Sequence, residues 1–195
     1  MKKTIGAVDR LFPMPCPLVV GGTLENADAL AVAWINIVAS TPPTIAMGLR
    51  ESRRTLELIR ESGSFTVNIP TSAMAPVVDY FGMVSGRTAD KFAVTGLTLS
   101  PSELVEAPII DECPYNLECR VTHEVEVGSY VVVFGEVLQA HAEEAVLTDG
   151  DQVDIAALDP LIYIAGAREY RRVGEKVADA FSVWKNVAPE ELKAR

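Results

Sequence analysis

The sequence predicts a mainly β fold, a closed sheet or barrel with a few helical additions. Three observations predict it. Six or seven short runs read as strands against only three helical patterns. One long run, "NLECRVTHEVEVG", alternates apolar and polar residues. The longest uncharged stretch, "ALAVAWINIVASTPPTIAMGL" over residues 29–49, is broken near its middle by Pro42 and Pro43, which no membrane-spanning helix would place there.

Taken in order, the start "MKKTIGAVDRLFPMP" has only a weakly apolar run before Asp9, too short for the hydrophobic region of a signal peptide, so a cytoplasmic protein is expected. Strands are expected over 17–23, then over 30–39 and 44–49, where Val32, Ile35, Ile37, Val38 and Ile45 supply buried β-formers around the proline turn. A helix over 53–61 follows, capped by Ser52 and stopped by Gly63, and then a strand over 64–69. A second helix is expected over 73–81. The alternating run forms a strand over 117–127, with one face buried and the other solvated, and Gly128-Ser129 turns it into a more enclosed strand over 130–141. "HAEEAVLTDGDQVD" reads as an acidic surface loop, 161–165 as a last strand, and 178 to the C-terminus as a helix.

Charge and cysteine usage exclude several classes. A formal net charge of −10 repels nucleic acid and anionic membranes, so neither is an expected partner. Cys16, Cys113 and Cys119 make neither a disulfide framework nor, with two histidines, a zinc signature, and are expected to be free and buried. His123 falls on the apolar face of its strand and reads as a core or interface residue, and His141 as a solvated one. No Walker loop, G-x-G-x-x-G, G-x-S-x-G or H-E-x-x-H is present.

What remains is an inverted charge pattern in "GLRESRRTLELIRESG". Arg53 and Arg54 stand in the first turn of the expected helix, where the dipole favours acids. A bound phosphate would offset them, using the free N–H groups of the helix start, the hydroxyls of Ser52 and Thr55 and the guanidinium forks. The alternative is equally simple: Ser52 caps, and the arginines are solvated or pair with Glu51 and Glu57.

Five segments carry a resemblance. "ALAVAWINIVASTPPTIAMGLR", "SRRTLELIRESGSFTVNIP", "VDYFGMVSGRTADKFAVTGL", "ECPYNLECRV" and "LDPLIYIAGAREYRRVGE", in this order, resemble the flavin reductase-like FMN-binding split-barrel family, and within it the flavoredoxin branch. The resemblance runs to about Gly174. It implies a six-stranded split β-barrel of Greek-key topology with a few flanking α-helices, a single domain over 1–195 whose residues 175–195 are a helical extension, a homodimer, and FMN as cofactor.

The resemblance also implies site residues. Arg50, Ser52, Arg53 and Thr55 match the family's phosphate-binding turn, Ser85 and Gly86 begin the following loop, and Lys91 matches its basic contact. Val32, Ala33, Trp34 and Asn36 match the strand beside the flavin ring, Asn68 ends the strand after the phosphate helix, and Tyr163 and Tyr170 match C-terminal positions near the ring. Relatives place Thr or Ser where Ala31 and Ala33 stand, which leaves only backbone contacts there. "ENADAL" replaces the usual Asp-Gly hairpin with an Asn, so either Asn26 or Asp28 takes the neighbouring position, and Glu169 stands where an aromatic is common. The implied activity is an FMN-dependent oxidoreduction that takes electrons from NAD(P)H or a redox protein, with no catalytic side chain assigned. A non-catalytic electron carrier or regulatory module is the alternative. "SRRTLELI" together with "SGRTADKF" matches the flavin reductase branch better than the pyridoxamine phosphate oxidase or haem-binding barrels.

Overall fold

Tight turns and alternating strands organise the chain, whose residues 1–187 are described in the computed structural model. The order is β1 (Met14–Pro15), β2 (Leu18–Thr23), β3 (Asn26–Ala31), β4 (Ile35–Ser40), β5 (Pro43–Arg50), α1 (Arg54–Ser62), β6 (Ser64–Ile69), α2 (Ala75–Met83), α3 (Lys91–Thr95), β7 (Leu99–Ser100), β8 (Ile109–Ile110), β9 (Tyr115–Val127), β10 (Tyr130–Ala142), α4 (Ile155–Leu158), β11 (Leu161–Ile164) and β12 (Glu169–Arg172).

The main sheet is antiparallel in the order β3-β2-β6-β9-β10-β5-β4. Its two edges, β3 and β4, are consecutive in sequence, so counted as one interrupted strand they close a six-stranded barrel with an open seam at residues 32–34. The strand expected unbroken over 30–39 is therefore split. The Val32 N–H donates to the Pro17 carbonyl (3.0 Å), and the Trp34 carbonyl accepts from the Gly48 N–H (2.8 Å), so the seam is pinned to β5 and to the segment before β2. As expected, Pro42 and Pro43 lie at the β4–β5 turn.

Helix α1 closes one end of the barrel. Leu56 and Ile59 are wholly buried among Val19, Phe65 and Val133, and such burial contributes roughly 1.5–3 kcal/mol per side chain. The close approach needs Gly21 on β2, where a Cβ would come within 2.6 Å of Ile59 Cγ1 and 2.8 Å of the Thr55 carbonyl. Gly63 stops α1 as expected, at φ 65° with its N–H on the Ile59 carbonyl (2.8 Å). Ser52, however, does not cap it. Arg53 occupies that position in extended geometry, because its N–H is taken by the Arg50 carbonyl (3.0 Å) in a turn that precedes the helix, and no side chain caps the end.

A second apolar cluster sits outside the barrel, where Val78 and Phe81 of α2 cover Leu18, Val20 and Ala29, joined by Cys16, Cys113 and Leu161. All three cysteines are free and buried, as expected. The helix expected over 73–81 is found two residues later, after a 3-10 turn at Ser72–Met74. The C-terminal helix expected from 178 is not found within the described residues, which hold only a 3-10 turn at Val183–Asn186, and 188–195 lie outside them.

The alternation over 117–127 needs a correction. Asn116 and Glu118, placed on the solvated face, are buried, whereas Val125 and Val127 are 46% and 56% exposed. Strand β6 pairs with β9 only from Tyr115 to Arg120, so the rest of β9 runs past the barrel with β10 as its one partner. His123 likewise lies exposed, stacked on Phe134 with centroids 4.2 Å apart, and not in the core of the chain. His141 is not simply solvated, since its Nε2 lies 2.6 Å from Glu118 Oε1.

Candidate functional site

The turn Arg50–Arg53 delivers the chain to α1 with the N–H groups of Arg54 and Thr55 making no hydrogen bond among the described residues. A cavity of about 230 Å³ lies there, walled by Ser52, Arg53 and Thr55 from the helix start, Asp28 from β3, and Ser85, Gly86 and Lys91 from the segment after α2. Asp90 caps α3 by accepting from the Ala93 N–H (3.0 Å), which fixes Lys91 as the first helical residue and turns it inward.

Inside the cavity wall, Asp28 organises the donors. It is 7% exposed; its Oδ2 accepts from Thr55 Oγ1 at 2.6 Å, and its Oδ1 lies 2.8 Å from Lys91 Nζ. Lys91 also donates to the Ala29 carbonyl and stands 5.3 Å from the Phe81 ring. Gly86 packs so closely that an added Cβ would fall 2.2 Å from Asp28 Oδ1.

The arginines divide into two groups. Arg54 pairs with Glu57 (3.1 Å), and Arg60 pairs with Glu51 (2.6 Å) and Glu124 (2.9 Å). Arg87 also bonds Glu57, and with Arg54 it holds that carboxyl below its usual range; the Arg60 hydrogen bond lowers Glu51 in the same way. Arg50 and Arg53 meet no carboxylate among the described residues. Arg50 instead lies over the Tyr130 ring at 5.2 Å, and Tyr130 meets Trp34 edge-on with centroids 6.3 Å apart.

From this cavity a groove follows the seam. A small hollow of about 50 Å³ shares Leu30 and Arg53 with the first cavity and is also lined by Val32, Trp34, Arg50 and Tyr130. It shares Trp34 and Gly48 in turn with a third, more apolar cavity of about 540 Å³. Ala33, Trp34 and Asn36 line that third cavity, and residues 8–15 supply its far wall. The Asn36 Oδ1 accepts from the Ile37 N–H (2.8 Å).

Eleven of the expected site residues thus line three neighbouring hollows that share lining residues in series. Three do not. Asn68 is fully buried in β6, donating to the Leu18 carbonyl (3.1 Å) and Thr66 (3.0 Å) and accepting from the Ile110 N–H (2.9 Å) and Asn116 (2.8 Å), so its polar atoms are used within the core. Tyr163 and Tyr170 face each other across β11 and β12 with centroids 5.8 Å apart, and the Tyr170 hydroxyl donates to Asp79 (2.9 Å). Burial first, then that carboxylate, raises the Tyr170 pKa. None of the three lines the groove.

Sequence reasoning left open which of Asn26 and Asp28 matters, and it missed Tyr130 altogether. Asp28 had a signal, a lone acid entering the uncharged run that starts at Ala29. Tyr130 had none, because its place beside Arg50 comes from the β5–β10 register. A separate hollow of about 650 Å³ near the β2–β3 turn holds none of the expected residues. Among the described residues no group of His, Cys, Asp or Glu could hold a metal ion, and no helix is long and apolar enough to cross a membrane.

Comparison with known proteins agrees with this architecture. The flavin reductase like domain model matches residues 9–174. Flavoredoxin of Desulfovibrio vulgaris (Miyazaki F) superposes with a TM-score of 0.90 at 38% identity, covering 94% of this chain and 100% of that one. Flavoredoxin from Methanosarcina acetivorans gives 0.88 at 34% identity, covering 96% and 100%. A protein of Archaeoglobus fulgidus is 34% identical over 136 residues, 70% of this chain and 76% of its own.

Proposed function

The chain belongs to the flavin reductase like domain family, and we propose that it is an FMN-dependent oxidoreductase of flavoredoxin type that holds the flavin phosphate at the start of α1. The observation that carries this reading is the row of three neighbouring hollows along the seam, taken as one groove. It begins at free helix N–H groups with Arg53 and Arg50 lacking carboxylate partners, and it ends in an apolar cavity beside Trp34.

The donor set suits a phosphate monoester. Two unpaired N–H groups stand at the positive end of a nine-residue helix, and Ser52 and Arg53 line the cavity beside them, so an anion there offsets charge that the helix dipole otherwise opposes. Flavin supplies the electron-transfer chemistry when bound. The chain supplies position: Arg53 and α1 orient the phosphate end, the seam backbone from Val32 to Trp34 offers polar groups along the groove, and Trp34 with residues of the 8–15 segment lines the apolar end.

NAD(P)H or a redox protein is the proposed electron source, the chain is read as a single domain, and the protein as a cytoplasmic homodimer. The exposed apolar residues Ile37, Val38, Val125 and Val127 support the dimer, since a second copy would cover them. The similarity to two flavoredoxins also supports a second reading, an electron carrier without turnover of NAD(P)H.

Fluorescence titration with FMN and riboflavin tests the phosphate site. FMN should bind more tightly, and Arg53→Ala should weaken FMN binding by roughly tenfold to a hundredfold while leaving riboflavin unchanged. Equal affinities for the two flavins in the wild type would overturn the reading. Stopped-flow mixing of the flavin-loaded protein with NADH separates reductase from carrier, with prompt bleaching expected for the reductase.

A further inference from the structure

The donors expected to meet the phosphate are already in use. Thr55 gives its hydroxyl to Asp28 (2.6 Å), and Lys91, 3% exposed, spends its ammonium on Asp28 (2.8 Å) and the Ala29 carbonyl. We propose that Asp28 is the affinity-setting residue of this cavity: a resident carboxylate that competes with the flavin phosphate for Lys91 and Thr55, and so keeps FMN exchangeable. The proposal rests on the reading of the cavity as a phosphate site.

Three features carry it. Asp28 lines the same cavity as Ser52 and Arg53, so its negative charge faces the volume an anion would enter. The pair with Lys91 is internally neutral, which leaves the Arg53 fork and the helix N-terminus as the uncompensated positive groups for a dianion. The carboxylate is also fixed. Thr55 holds one oxygen, Lys91 the other, and the backbone at Gly86 packs against it with no room for a side chain. Such a carboxylate stays beside the anion instead of swinging away, and like charges held close together oppose each other.

The chemistry has a defined direction. Removing the charge while keeping the shape frees Lys91 to serve the phosphate and removes the repulsion, so binding should tighten. A residue that only supported the pocket would do the reverse. Its loss would leave Lys91 misplaced and binding weaker.

The test compares apo wild type, Asp28→Asn and Arg53→Ala by titration with FMN, riboflavin and inorganic phosphate, the last read as the shift in thermal melting. Asp28→Asn should bind FMN roughly tenfold more tightly, release it more slowly, and show a larger phosphate-induced melting shift, with riboflavin affinity unchanged. Asp28→Ser, whose hydroxyl can still accept from Lys91, should show the same direction and stands in if the amide variant folds poorly. Unchanged or weaker FMN binding in both neutral variants, with Arg53→Ala still abolishing the preference for FMN, would overturn the role of Asp28 and leave the phosphate site standing. Equal FMN and riboflavin affinities in wild type and Arg53→Ala alike would overturn both. Loss of a cooperative apo-melt in both neutral variants would assign the carboxylate to folding and overturn the proposal.

Discussion

Two buried carboxylates sit on different strands of the main sheet, Asp28 on β3 and Glu118 on β9, and they are satisfied in different ways. Glu118 on β9 is fully buried and accepts from the N–H groups of Glu103 (2.8 Å) and Leu104 (2.7 Å), with His141 Nε2 at 2.6 Å. Asp28 on β3 is nearly as buried, but its partners are the side chains of Thr55 and Lys91, and it borders a cavity. Main-chain donors cannot leave Glu118 without unfolding the 101–106 loop. Side-chain donors can be shared with whatever enters the cavity. Burial therefore does not separate a structural acid from a functional one; the nature of the donors and the space beside them do.

The sharpest way to break this contrast is Glu118→Leu. It removes the acceptor of the Glu103 and Leu104 N–H groups, and since hydrogen bonds to a charged group contribute roughly 1.5–3 kcal/mol each, urea unfolding of the apo-protein should show a loss of about 3 kcal/mol or more. The preference for FMN over riboflavin should not change. A stability loss below about 1 kcal/mol would place Glu118 with the replaceable surface acids.

Gly86→Ala probes the other acid from the backbone side. Its Cβ would meet Asp28 Oδ1 at 2.2 Å, and overpacking of this kind costs roughly 1–3 kcal/mol in thermal or urea unfolding. Gly150→Ala is the control, because nothing lies within 4 Å of a Cβ there, and it should be close to neutral. Equal effects of the two substitutions would mean that the 84–90 segment moves freely away from Asp28.

The smallest expected effect is in pH dependence. Burial raises the Glu118 carboxyl pKa, but the Glu103 N–H, His141 and the Leu104 N–H together outweigh it and hold the value below the ordinary range. A carboxyl lowered in the folded state contributes stability that is complete above its unfolded pKa and disappears as pH falls through the folded value. Unfolding free energies followed from neutral pH downward should therefore fall less steeply in Glu118→Gln than in the wild type. Parallel curves would remove the acid from the stability balance.

Much of this architecture was legible in the sequence because local chemistry decided it. Pro42 and Pro43 can only turn, Gly63 stops α1, and Gly128-Ser129 closes the β9–β10 hairpin. The seam at 32–34 was not legible, since three apolar residues between apolar strands carry no break signal. Nor was the burial of Glu118. Alternation assigned it to solvent, and only the 101–106 loop, folded back over that face, makes it an interior residue. Of the expected site residues, those around α1 and the seam line neighbouring hollows, whereas Asn68 spends its polar atoms on core amides, a difference that a polar residue at a strand end does not announce in sequence. The partnership of Asp28 with Lys91 spans 63 residues of sequence and depended on the cap at Asp90.

The three cysteines have a practical consequence. Burial, reinforced by Asp79, Glu112 and Glu118 respectively, pushes Cys16, Cys113 and Cys119 up to about 12, so at neutral pH none offers a thiolate. The buried thiols of the wild-type chain are thus expected to react slowly with maleimide dyes without any cysteine having to be removed. A sulfhydryl installed at exposed Ser85 would take the label alone, and would place an emissive reporter at the rim of the Asp28 cavity in an otherwise native background.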